Sequence, residues 1–184
     1  FDHTIYPGDS TLDLWRFCVK RWPSALLPLP WAALSGGLFK AGLCARETFK
    51  GRFYRFLRRV PDVEGTVSDF WEDHIGRIYP WYLDQRREDD LVISASPDFL
   101  VLPACRALGI RGIASPVSPD TGALLGPNCR GEEKAVRLAQ SFPGERVEGF
   151  WSDSLSDAPL ARLAERAYLV KNGAPGPWPA ELLR

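Results

Sequence analysis

The chain has 184 residues, with 45% hydrophobic and 25% charged residues. That is room for one large domain or two small ones, and it excludes a disordered or fibrous chain. Twenty-three basic residues balance twenty-three acidic ones, so no global basic field exists and a nucleic-acid partner is not expected. The four cysteines, Cys18, Cys44, Cys105 and Cys129, form no C-x-x-C pair, and the histidines are His3 and His74 alone. A structural zinc site needs clustered ligands, so buried, reduced thiols in a cytoplasmic protein are expected instead. Met is absent and the first residue is Phe1, so the chain is expected to continue upstream.

Phe1 to Ile5 leads into a turn at Pro7-Gly8-Asp9-Ser10. Ser10 or Thr11 is a candidate cap for a helix carrying Leu12, Leu14, Trp15, Phe17 and Cys18. Trp22 to Phe39 carries no charge, but Pro23, Pro28 and Pro30 break it. A spanning helix is therefore excluded, and short buried helices are expected, with contact at a membrane surface left open. Phe49, Phe53, Phe56, Leu57 and Val60 share one helical face, with Arg52, Arg55, Arg58 and Arg59 mostly off it. Those arginines are either a solvated face or a source of one substrate-binding cation. Trp71, Ile75, Ile78 and Tyr82 repeat the helical pattern, and Pro80 kinks or restarts it.

The pattern changes at Leu91-Val92-Ile93, a short buried strand ending in Ser94-Ala95-Ser96-Pro97. Ser96-Pro97 predicts the start of a helix running to Leu108, with Gly109 ending it. Ile110 to Ala114, a turn at Pro119 to Gly122 and a second extended piece read as a hairpin. A helix over Gly131 to Phe142, a strand over Val147 to Trp151, a helix over Ala158 to Ala167 and a strand at Tyr168-Leu169-Val170 follow. This alternation predicts an α/β fold with a parallel sheet. Active sites of such sheets lie at the carboxyl ends of the strands, here Asp2 to Thr4, Ser94 to Ser96 and Ser152 to Asp157.

The residues at those ends are hydroxyls, carboxylates and a nearby cation. Asp153 and Asp157 suit Mg²⁺, which takes oxygen ligands, or they are turn and cap residues. Ser94 suits a phosphate oxygen, or it is a turn residue. Lys134, or Arg130 before it, suits a phosphate at the start of a helix, or it is a solvated side chain.

Four segments in order resemble the motifs of the haloacid dehalogenase superfamily. Phe1-Asp2-His3-Thr4-Ile5 is similar to the tail of D-x-D-x-T. Ile93 to Pro97 is similar to the second motif, and Asn128-Cys129-Arg130-Gly131-Glu132-Glu133-Lys134 to the third. Ser152-Asp153 through Asp157 is similar to [GS]-D-x-x-x-D. The second and third are closest to subfamily IB, the phosphoserine-phosphatase-like members. The resemblance implies a Rossmann-like core over residues 1–10 and 88–184, with an inserted helical, C1-type cap over 11–87. It implies a Mg²⁺-dependent phosphomonoester hydrolase working through an aspartyl-phosphate on a small ester such as phosphoserine. The nucleophile would be the residue immediately before Phe1. Asp2 would be general acid and base, Ser94 and Lys134 would hold the phosphoryl group, and the metal site would take Asp2 through its backbone carbonyl and Asp153 through its side chain, with Asp157 supporting either the metal or the lysine. Thr4, Asp9, Ser96 and Arg130 would bind substrate, Asp9 through an amine; Arg130 is also the alternative to Lys134. A lipid head-group phosphatase, and a non-catalytic phosphate-ester binding module, are the alternatives.

Overall fold

A computed structural model describes residues 1–43 and 46–183. Cys44 lies outside the described residues; Cys18, Cys105 and Cys129 are buried and unpaired. Burial pushes the Cys18 thiol up to about 12 and the Cys105 thiol up to about 11, which keeps both protonated and inert.

The first half is helical. Helix α1 (Ser10–Arg21) begins after Asp9, whose carboxylate accepts the Leu12 N–H at 3.0 Å. Asp9 is thus the cap, in place of Ser10 or Thr11, and both of these are buried inside the helix. A 3-10 turn (Pro23–Leu26) and helix α2 (Leu29–Lys40) follow. Helix α3 (Arg46–Phe53) gives way to a 3-10 turn (Tyr54–Arg59), so the single helix predicted through Val60 changes pitch at Tyr54. The change keeps Tyr54, Phe56, Leu57 and Val60 buried together. Helix α4 (Val63–His74) is capped by Asp62, and Pro80 opens α5 (Pro80–Gln85), a position where a missing N–H costs nothing.

The second half alternates strand and helix: β1 (Leu91–Pro97), α6 (Asp98–Ala107), β2 (Arg111–Ser115), α7 (Glu132–Ser141), β3 (Val147–Ser152), α8 (Ala158–Ala161), β4 (Ala164–Lys171) and β5 (Ala174–Pro177). β1 and β2 pair in parallel, as do β3 and β4, and β5 adds antiparallel to β4. This is the mixed α/β architecture with parallel strands that the alternation predicts. Four details differ. Ser94 to Pro97 extend β1, so Ser96 sits in a strand and starts no helix. The predicted hairpin reduces to one antiparallel bridge, Val117 to Leu124, because β2 pairs with β1. Residues 164–167 belong to β4, where pairing with β3 overrides their helical propensity. β5 is additional.

One buried cluster joins the two halves. Ile5, Tyr6, Leu14, Phe70 and Trp71 pack with Val92, Leu100 and Ala104. The Trp71 indole N–H donates to the Leu100 carbonyl at 2.7 Å, which fixes α4 against α6 and leaves neither buried group unpaired.

Candidate active site

The chain start folds into a tight knot. The N–H groups of Thr4, Ile5 and Tyr6 all point at the Phe1 carbonyl, and the His3 N–H donates to Gly8. His3 takes φ +53° to make this turn, an uncommon conformation for a residue with a Cβ. The knot aims Thr4 at the end of β3. Its hydroxyl lies 3.2 Å from the Asp2 carbonyl and 3.2 Å from Asp153 Oδ1. One hydroxyl proton serves one of these two oxygens, so both together form a site short of positive charge.

The Asp2 carboxylate is positioned from two sides. Oδ1 accepts the Ser10 N–H at 2.9 Å, and Oδ2 accepts the Ser96 hydroxyl. Ser94 is buried next to it on β1, and its Oγ accepts the Ser96 N–H at 3.1 Å. The extension of β1 beyond Ile93 is what delivers both serines.

Lys134 arrives on the first turn of α7. Gly131 takes φ +57° before that helix, a conformation that favours glycine. Lys134 and Asp157 are both buried, 2.6 Å apart. Ser152 donates to the same Asp157 oxygen at 2.8 Å. Of the two roles open to Asp157, the geometry supplies the lysine one.

These segments line one cleft of about 980 Å³, which runs between β1 and β3. Asp2, Thr4, Ser94, Ser96, Lys134, Asp153 and Asp157 all meet there, and Asp9 and the exposed Arg130 also border it. Desolvation and the charge of Asp2 raise the Asp9 pKa.

Among the described residues no group of three or more His, Cys, Asp or Glu side chains could hold a metal. The Asp2 carboxylate accepts from Ser10 and Ser96, which leaves its backbone carbonyl for the expected metal role, and Asp157 is engaged by Lys134 and Ser152, the second of its two expected roles. What is left is the Asp153 carboxylate with the Asp2 carbonyl. This donor set fits Mg²⁺, which uses one or two carboxylates and keeps several waters.

Arg52, Arg55, Arg58 and Arg59 do not line the cleft; Lys50 does. Its Nζ donates to the Ala95 carbonyl at 2.7 Å and to Asn128 Oδ1 at 2.8 Å. Ser115 bridges the same two acceptors at 3.0 and 3.1 Å and accepts the Cys129 N–H. Sequence reasoning missed Lys50 and Ser115. No local signal marks either, since both roles depend on contacts between distant segments.

The sequence model of the haloacid dehalogenase-like hydrolase family matches residues 1–162. The chain is 34% identical over 93 residues to Protein CicA of Caulobacter vibrioides, in each of two strains. That match covers 46% of this chain and 42% of CicA, so the chain spans less than half of that relative. In fold it is similar to a protein of unknown function from Bordetella pertussis Tohama I, with a TM-score of 0.73 and 22% identity over 91% of this chain and 85% of the other.

Proposed function

The chain belongs to the haloacid dehalogenase-like hydrolase family, and from that premise we propose a Mg²⁺-dependent phosphomonoester hydrolase of the phosphoserine-phosphatase-like type. One observation carries the reading. Three segments far apart in sequence bring a held carboxylate (Asp2), a buried lysine (Lys134) and an oxygen pair suited to a cation (Asp2 carbonyl, Asp153) to one cleft.

In the D-x-D pattern that Phe1-Asp2 resembles, the nucleophile would be an aspartate directly ahead of Phe1. Its carboxylate oxygen bonds to phosphorus while the ester P–O bond breaks. Asp2 gives its proton to the leaving alkoxide, then takes one from the water that attacks the aspartyl-phosphate; that P–O bond breaks and phosphate leaves. The Ser10 N–H and Ser96 hydroxyl hold the Asp2 carboxylate for both transfers. Lys134 and Ser94 neutralise and align the phosphoryl oxygens, the main task in this chemistry. Asp157 holds Lys134 in place. Asp153 and the Asp2 carbonyl would hold Mg²⁺, which supplies charge neutralisation at the phosphoryl group.

We read residues 11–87 as the cap that selects substrate. Lys50 is its cation at the cleft, and Asp9 offers a carboxylate to an amine. A small amino-acid phosphate suits both. The test is phosphate release from such esters by the full-length protein. Activity is expected to need Mg²⁺ and to vanish with chelator, and full activity in excess chelator would refute the metal role.

A further inference from the structure

Helix α2 is packed inside out. Its small residues Ala32 and Ser35 are buried, and a Cβ on Gly36 would meet the Phe49 ring at 3.2 Å. Its large apolar residues face outwards. Trp31 is 65% exposed and Leu34 54%, with Leu27 at 61% and Leu43 at 75% on either side. A lone exposed leucine is ordinary, but a contiguous group containing a tryptophan marks an interaction surface.

The charge around this face says what it meets. From Leu14 to Pro61 the sequence has ten basic residues and one acid, Glu47, in a chain whose net charge is zero. Of the ten, Arg16 and Arg21 pair with Asp13 and Asp69 and Lys50 faces the cleft, while Lys20 stands just before the apolar run. Arg55, Arg58 and Arg59 are exposed on the Tyr54–Arg59 turn, which packs against the Pro23–Leu26 turn. An uncharged, tryptophan-bearing face with a basic rim matches an anionic interface: apolar side chains enter the acyl boundary while arginines meet the head groups. No helix among the described residues is long and apolar enough to cross a membrane, so the contact is peripheral.

We propose that the face formed by Leu27, Trp31 and Leu34 docks on an anionic phospholipid bilayer. The surface is separate from the reacting groups, and the proposal stands or falls independently of the hydrolytic reading.

The test is co-sedimentation of the full-length protein with phosphatidylcholine vesicles, with and without phosphatidylserine. Binding is expected only with phosphatidylserine and is expected to weaken as salt rises. The double substitution Leu27→Ser, Trp31→Ser is expected to weaken it at least ~10-fold. Arg55→Gln, Arg58→Gln and Arg59→Gln together are expected to weaken it ~100-fold. All these residues are exposed, so unchanged circular dichroism and unchanged aryl phosphate turnover are expected in the same variants. No pelleting with phosphatidylserine vesicles, or pelleting indifferent to both sets of substitutions, overturns the proposal. So does a dimer that Trp31→Ser dissociates in a protein that binds no vesicles, since the face would then meet a second copy.

Discussion

Lys134 and Asp157 stand 2.6 Å apart in a buried pocket, with Ser152 as the third member. A buried pair gains less from its attraction than it costs to break, because removing one partner strands the other charge. Lys134→Ala is therefore expected to cost about 3–5 kcal/mol of stability and to abolish turnover. Replacing both, Lys134→Met with Asp157→Leu, is expected to restore most of that stability but no activity. Chemical denaturation alongside a phosphate assay separates the two effects. A double variant as unstable as Lys134→Ala would show that the pair is needed for more than charge balance. Asp2 is held differently: among the described residues its two donors, the Ser10 N–H and the Ser96 hydroxyl, are neutral.

At the scale of the element, Asp9 serves helix α1 and the cleft together. Its carboxylate caps the helix, and desolvation and Asp2 raise its pKa. The folded protein thus holds the Asp9 proton more tightly than the unfolded chain does. The associated stability is present below the ordinary Asp range and is lost as pH rises through the raised value. Asp9→Asn keeps a good cap and removes the charge. Its melting temperature is expected to exceed that of the wild type near neutral pH, with the gap closing as pH falls towards ~4. A gap that widens in acid would contradict the account. Other elements show what the sequence discloses and what it conceals. The helix over 132–141 was legible because Gly131 and two acids mark its start and Leu138 its inner face. The residues at Ser94 to Pro97 look like a turn by composition, yet they form an irregular stretch of β1, which loses register after Ile93 and pairs with β2 again at Pro97 and Ser115. β5 contains Pro175, Gly176 and Pro177, residues found in strands only at an edge, so nothing local announces it. Asp2, Thr4, Ser94, Lys134, Asp153 and Asp157 could be named from motif order. Lys50 could not, since its role depends on α3 lying over Ala95 and Asn128.

Across the whole molecule, chemistry and charge are divided. Asp2, Asp153 and Asp157 lie at one cleft, whereas the run from Leu14 to Pro61 has a single acid. A net charge of zero conceals this division, which became legible only when the helical half could be seen as a body with its own exposed face. The two halves share one buried cluster, so the cleft is built by both and neither part is a passive cover. The account rests above all on Asp2 acting as the acid for the leaving group. The direct measurement is phosphate release by the full-length protein and its Asp2→Asn variant from an alkyl and an aryl phosphate. General acid–base groups contribute ~10²–10⁴-fold, so a loss of that size is expected on the alkyl ester. A much smaller loss is expected on the aryl ester, whose leaving group needs little protonation. Equal losses on the two esters, or no phosphate release by the unmodified protein, would contradict it.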